Sequence, residues 1–147
     1  AKDVAQCLRD HGWILASHSY GHPAYGNLAA DRVEADSDKW ENTVETIIGE
    51  TDVILYPHGS DIHNWRNYTF DNAKFAALYE DGYRYFFNVD GNTYWNQLGS
   101  NYFRGGRRNV DGYRMYHNPN KLSDLFDVES VFDKARPLPV PSIGGGM

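Results

Sequence analysis

The chain has 147 residues, room for one domain and little more. With 41% hydrophobic and 23% charged residues it is globular rather than disordered, and no run approaches the ~20 apolar residues of a membrane-spanning helix. Lys and Arg number 14 against 20 Asp and Glu, and the net charge of −6 argues against nucleic acid, an anionic membrane surface or a polyanionic substrate as partner.

Helical and extended patterns alternate along the chain. Residues 2–11 read as an amphipathic helix with Val4, Ala5, Cys7 and Leu8 on one side and Gly12 as its stop. Cys7 is the single cysteine, so no intrachain disulfide forms, and it reads as a small buried apolar residue. Residues 13–17 form a short apolar run suited to a buried parallel strand, followed by a loop over 18–30. Val33, Trp40, Val44, Ile47 and Ile48 give 31–50 a helical period, and 52–56 is a second buried strand, ending at Pro57. A helix over 72–81, closed by Gly82, precedes a third strand over 83–89.

Residues 90–112 read as a long loop with at most a short strand, and a loop of that length is more often functional than idle. A fourth strand is expected over 113–117 and short helices over 122–126 and 128–133. The α/β domain is assigned to 1–136 and an extended Pro- and Gly-rich tail to 137–147. Alternating strands and helices imply a parallel sheet with functional residues at the carboxyl ends of its strands. The polar clusters 18–22, 58–63 and 90 onward all fall at such ends.

His18-Ser19-Tyr20-Gly21-His22 is the most informative stretch. Two imidazoles four residues apart can grip one divalent ion. Ser19 stands where a zinc protease would carry its Glu base, and Gly21 and Pro23 favour a turn at a strand end, so a metalloprotease is disfavoured. Aromatic residues make up 15% of a chain whose mean hydropathy is −0.66, so many rings sit among polar residues, where they can stack on sugars or simply tolerate exposure. Trp95, Tyr94 and Tyr102 line a sugar groove or cap the core on this reading. Arg104, Arg107 and Arg108 either clamp a carboxylate-bearing glycan or pair with neighbouring acids. Asp61 and His63 either complete a metal site or are solvated loop residues.

The run from Gly12 to His22 resembles the second motif of polysaccharide deacetylases, the NodB-homology carbohydrate esterases, a His-Ser/Thr-x-x-His element after a strand. Leu55-Tyr56-Pro57-His58-Gly59 resembles the family's Arg-x-Pro-Tyr/Phe-Gly motif. The segments 81–90, 107–113 and 122–127 resemble later parts of clostridial-type members. The resemblance implies a parallel-stranded, partial or distorted (β/α) barrel of the deacetylase type. It also implies a divalent ion, Zn first with Co or Ni as substitutes, held by His18 and His22. The substrate it implies is an acetylated polysaccharide or peptidoglycan-type glycan, met in a secreted or cell-surface setting. Tyr56, Pro57, Trp95 and Arg107 are then substrate-binding. The His58 backbone N–H becomes the oxyanion donor, its ring a proton shuttle or a shape mimic of the family's aromatic, and His117 the general acid.

The family's first motif, Thr-Phe-Asp-Asp-Gly, supplies its base and third metal ligand, and no Asp-Asp pair occurs in this sequence. Leu55 occupies the place of the family's motif Arg. The resulting expectation is impaired hydrolysis by this chain, whose first strands look missing. A second copy or a companion chain should cover the exposed sheet edge. The alternative expectation is a non-catalytic glycan-binding module or an inactive fragment.

Overall fold

The helical spacing of the first residues produces α1 (Lys2–Asp10), which ends as expected, with Gly12 at φ 82 just past His11. The structure is a computed structural model that describes residues 1–89, 96–133 and 135. Only Ala5 of α1 is buried. Cys7 is exposed, against the expectation of a buried thiol, because α1 lies on the molecule by a narrow stripe.

The apolar run 13–17 also departs from expectation. Only Ser17 joins the sheet, by a parallel bridge to Ile54, while Trp13 and Ile14 are 65% and 80% exposed. No further strand lies outside this run to bury those side chains among the described residues.

The long helix forms as predicted, as α2 (Ala30–Trp40), a π-helical segment Glu41–Glu45 and α3 (Thr46–Ile48), stopped by Gly49 at φ 84. Val33, Ser37 and Trp40 form its buried face. Strand β1 (Val53–Leu55) runs into a tight turn over Pro57–Gly59. Helix α4 (Ala73–Glu80) starts where Asn72 Oδ1 accepts the N–H groups of Lys74 and Phe75 at 3.0 and 3.1 Å. It packs against α2 and leads to β2 (Tyr85–Val89).

Two strands, β3 (Asn96–Leu98) and β4 (Phe103–Arg107), fill part of the span read as loop. Residues 113–117, expected as a strand, are helical in α5 (Gly112–His117), because the Asp111 carboxylate accepts the Arg114 N–H at 2.7 Å and starts a turn. Of the two short C-terminal helices expected, 122–126 is a turn, while α6 (Val128–Val131) forms. The tail proposed for 137–147 lies outside the described residues.

The sheet order is β1-β2-β4-β3, parallel except for the β3–β4 pair. Ile54, Phe86 and Arg104 share one row across it, as do Leu55, Phe87 and Gly105. The sheet is open and four-stranded: the α/β, mostly parallel expectation holds, and barrel closure is not seen among the described residues. Tyr25, Val33, Ile54, Tyr56, Ile62, Tyr68, Phe75, Leu78, Tyr83 and Phe86 form the core. Burial of each such side chain contributes ~1.5–3 kcal/mol before entropy is charged against it. No helix among the described residues is long and apolar enough to cross a membrane.

Candidate functional site

Ser17 fixes the histidine-bearing loop to the sheet. Its N–H donates to the Val53 carbonyl at 2.9 Å, and its own carbonyl accepts from Leu55 N–H at 2.8 Å. His18 therefore emerges beside the end of β1, where its Nδ1 lies 2.6 Å from the Leu55 carbonyl oxygen. A carbonyl can only accept, so Nδ1 carries the proton and Nε2 of neutral His18 presents a lone pair. Burial holds the His18 pKa below its usual 6.5. The Leu55 hydrogen bond opposes that shift, and the Arg107, His22 and His58 charges add to it.

His22 closes the loop back onto His18, with their Nε2 atoms 3.2 Å apart. His58 joins from the turn after β1, its ring centroid 4.5 Å from that of His22 and its Nε2 3.2 Å from the His22 carbonyl oxygen. The three imidazoles thus assemble at the carboxyl end of β1, from the two loops the sequence singled out.

The backbone here is strained. Ser19, His22 and His58 have φ of 64, 55 and 57, a left-handed region that non-glycine residues seldom occupy and that clusters at functional sites. Asp36, on α2, holds the loop in this shape. Its carboxylate accepts from Tyr20 N–H, Gly21 N–H and Tyr25 O–H, each at 2.9 Å, and a Cβ on Gly21 would stand 2.9 Å from Asp36 Oδ1. Asp36 was not among the residues singled out in the sequence, since one acid in a solvated-looking helix carries no distinguishing mark.

The histidine pair has the donor spacing of a metal site. Two nitrogens bound to one tetrahedral zinc, each about 2.0–2.1 Å from it, stand about 3.3 Å apart. The 3.2 Å separation matches that value and equally suits an N–H···N hydrogen bond from His22 to His18. The Leu55 carbonyl behind His18 is the kind of partner that orients a ligating imidazole. Among the described residues, no group of three or more His, Cys, Asp or Glu is arranged to hold one ion. The pair would supply two ligands and leave a third unassigned.

Asp61 and His63 are not part of this group. Asp61 is buried in an ion pair with Arg104, and its Oδ1 also accepts from Tyr68 O–H at 2.7 Å and Asn88 Nδ2 at 3.2 Å. Its Oδ2 accepts from the N–H groups of His63 and Trp65 at 2.8 and 2.6 Å. A carboxylate engaged by five donors is neither solvated nor available to a metal. His63 is half-buried, with Nδ1 unpaired.

The Tyr56 ring is fully buried, 6.2 Å from that of Tyr25, and Pro57 is buried, so both support the His58 turn from beneath rather than line a surface. His117 ends α5, with its ring 4.4 Å from Tyr113 and 4.7 Å from Tyr116. Among the described residues no hydrogen bond or ring contact joins it to the other histidines. Trp95 lies outside the described residues. Arg107 ends β4, and its charge is felt at His18. The histidines present an open face. Clefts occur elsewhere, including one of about 540 Å³ lined in part by Arg9, Trp13, Glu41 and Asp81.

The family model described as polysaccharide deacetylase matches residues 1–86. No curated protein and no solved structure matches the chain. The matched span runs from α1 into β2 and contains all three imidazoles of the site. On a match covering more than half of its length, reinforced by the paired histidines at the end of a parallel strand, the chain belongs to the polysaccharide deacetylase family.

Proposed function

We propose that this chain carries the metal-binding face of an enzyme that hydrolyses acetyl groups on a polysaccharide or peptidoglycan-type glycan. The observation that carries the reading is the convergence of His18 Nε2 and His22 Nε2 at 3.2 Å within a span the family model matches. The two histidines would hold a divalent ion, zinc first, and such an ion polarises an acetyl carbonyl and lowers the pKa of bound water. Burial lowers the His18 pKa, and donation of Nδ1–H to Leu55 fixes the tautomer in which Nε2 presents the lone pair.

His58 supplies two groups in this reading. Its backbone N–H would meet the developing oxyanion, and its ring, edge-to-face with His22, passes a proton to the leaving group. This shuttle falls to His58 rather than His117 because His117 ends a helix, not the strand that the resemblance implied for it. Tyr56 and Pro57 set the turn, and Arg107 and Trp95 contact substrate.

Among the described residues no carboxylate contacts the histidines, Asp61 being consumed by Arg104. The chain by itself is therefore expected to turn over slowly. The same observation favours a second reading, a glycan-binding module that keeps the face and has lost the chemistry. Metal content after dialysis and acetate release from acetylated chito-oligosaccharides, each with a His22→Ala control, separate the two. Near-stoichiometric zinc or cobalt that the variant loses, with chelator-sensitive acetate release, supports the hydrolase. Glycan binding indifferent to chelator and to His22→Ala, with no metal retained, replaces it with the binding module.

A further inference from the structure

Three arginines of the segment containing β4 differ in one respect. Arg104 is ion-paired with Asp61, and Arg108 with Asp124 at 2.6 Å. Arg107 has no carboxylate partner among the described residues. Among those residues its one side-chain hydrogen bond is a long one, from Nη1 to Asn109 Oδ1 at 3.4 Å, and its Nε is buried without an acceptor. A half-buried guanidinium with an unmet donor is costly to keep, and such exceptions call for an explanation.

Its position supplies one. Arg107 pairs in register with Val89 of β2, and the turn bearing His58 packs on that same residue: a Cβ on Gly59 would lie 2.9 Å from Val89 Cβ. Neighbouring strands stand about 4.8 Å apart, so Arg107 borders the His58 turn across one strand spacing.

We propose that Arg107 is an anion subsite beside the histidine face, and that it receives a carboxylate carried by the acetylated sugar. The preferred substrate is then an acetylated sugar with one acid group close to its acetyl group, rather than a neutral chitin-type chain. The planar fork of donors suits a carboxylate held by two N–H groups. A single acid group is compatible with a net charge of −6, whereas a densely charged polyanion is repelled by it. This deepens the deacetylase reading and rests on it for the acetyl group alone.

The test compares binding of N-acetylmuramic acid and N-acetylglucosamine, which differ by one carboxylate-bearing ether, to the full chain by titration calorimetry. The acid is expected to bind about tenfold more tightly, with the difference lost in Arg107→Gln, partly restored in Arg107→Lys and retained in Arg108→Gln. Circular dichroism of each variant verifies that the fold is kept. Equal affinity for the two sugars, binding of neither, or a preference that survives Arg107→Gln in a folded protein overturns the proposal. Acetate release with no preference for the acid sinks the subsite and leaves the hydrolase. An acid preference that depends on Arg107, in a protein that neither retains metal nor releases acetate, sinks the hydrolase and leaves the subsite.

Discussion

Arg104 is wholly withdrawn from solvent, and its charge is tolerated there because every direction around it is answered. Asp61 pairs with it, Nη1 donates to the Arg66 carbonyl at 2.9 Å, and the Tyr68 ring lies 4.1 Å from the guanidinium carbon. Removing one partner leaves an uncompensated buried charge, so Asp61→Asn is expected to lower unfolding stability by ~3–5 kcal/mol in a denaturant titration. The double variant Asp61→Asn with Arg104→Met should recover a substantial part of that loss, since no buried cation remains. A single variant as stable as the parent would show that the pair is not buried in solution. This pairing was one of two readings open for the arginine cluster in the sequence. The burial of Asp61 was not legible, because an acid within Ser60-Asp61-Ile62-His63 looks the same whether it faces water or the sheet. The histidines were legible because a pair four residues apart after an apolar run is a recognisable spacing, and Asp36 was not because loop bracing leaves none.

Among the elements, α1, α2 and α4 followed from their 3.6-residue period, and β1 and β2 from short apolar runs bounded by turn residues. The short strand allowed for within 90–112 could not be placed at β4, because Phe-Arg-Gly-Gly-Arg shows no apolar alternation. Its Gly105 serves close packing instead, since a Cβ there would come within 2.8 Å of the Phe103 ring and 2.9 Å of Asn96 Oδ1. Helix α5 was misread because its aromatic residues suit a strand, while the Asp111 cap that decides the matter precedes them. The π-helical segment carries its own consequence. Glu41 opens it with a carboxyl pushed from 4.5 to about 7, by burial first and then by the charges of Asp81, Glu45 and Asp38. Asp81 is raised as well. A folded state that holds a proton more tightly than the unfolded chain gains stability as pH falls. The contribution of Glu41 is thus present below about 4.5 and lost as pH climbs through about 7. In thermal melts across that window, Glu41→Gln should flatten the decline and raise the midpoint above pH 7. A variant with the parent's pH slope would remove Glu41 as its cause.

For the whole molecule, the parallel α/β class was legible from the alternation of patterns. The extent of the sheet was not, because an apolar run records what a segment could bury and not whether a neighbour exists to cover it. Residues 13–17 are the instance, with Ile14 80% exposed and Ile54, one strand inward, fully buried. Ile54→Ala should therefore cost ~2–5 kcal/mol, and Ile14→Ala should stay within about 0.5 kcal/mol, both read from chemical denaturation of the same preparation. A cost at Ile14 approaching that at Ile54 would mean that this edge is covered in solution.

The parallel register also dictates an order of events during synthesis. Val53 pairs with Tyr85, and Tyr85 with Phe103, so beyond the Ser17 bridge β1 has no strand partner until residues far downstream have left the ribosome. The stretch that carries the family match stops at residue 86, two residues into the β2 pairing that would hold it. A nascent chain cut there would keep His18, His22 and His58 yet lack the frame that brings them together. The histidine face is made early and assembled late, so its loops stand without their frame while the residues up to Arg107 are being added.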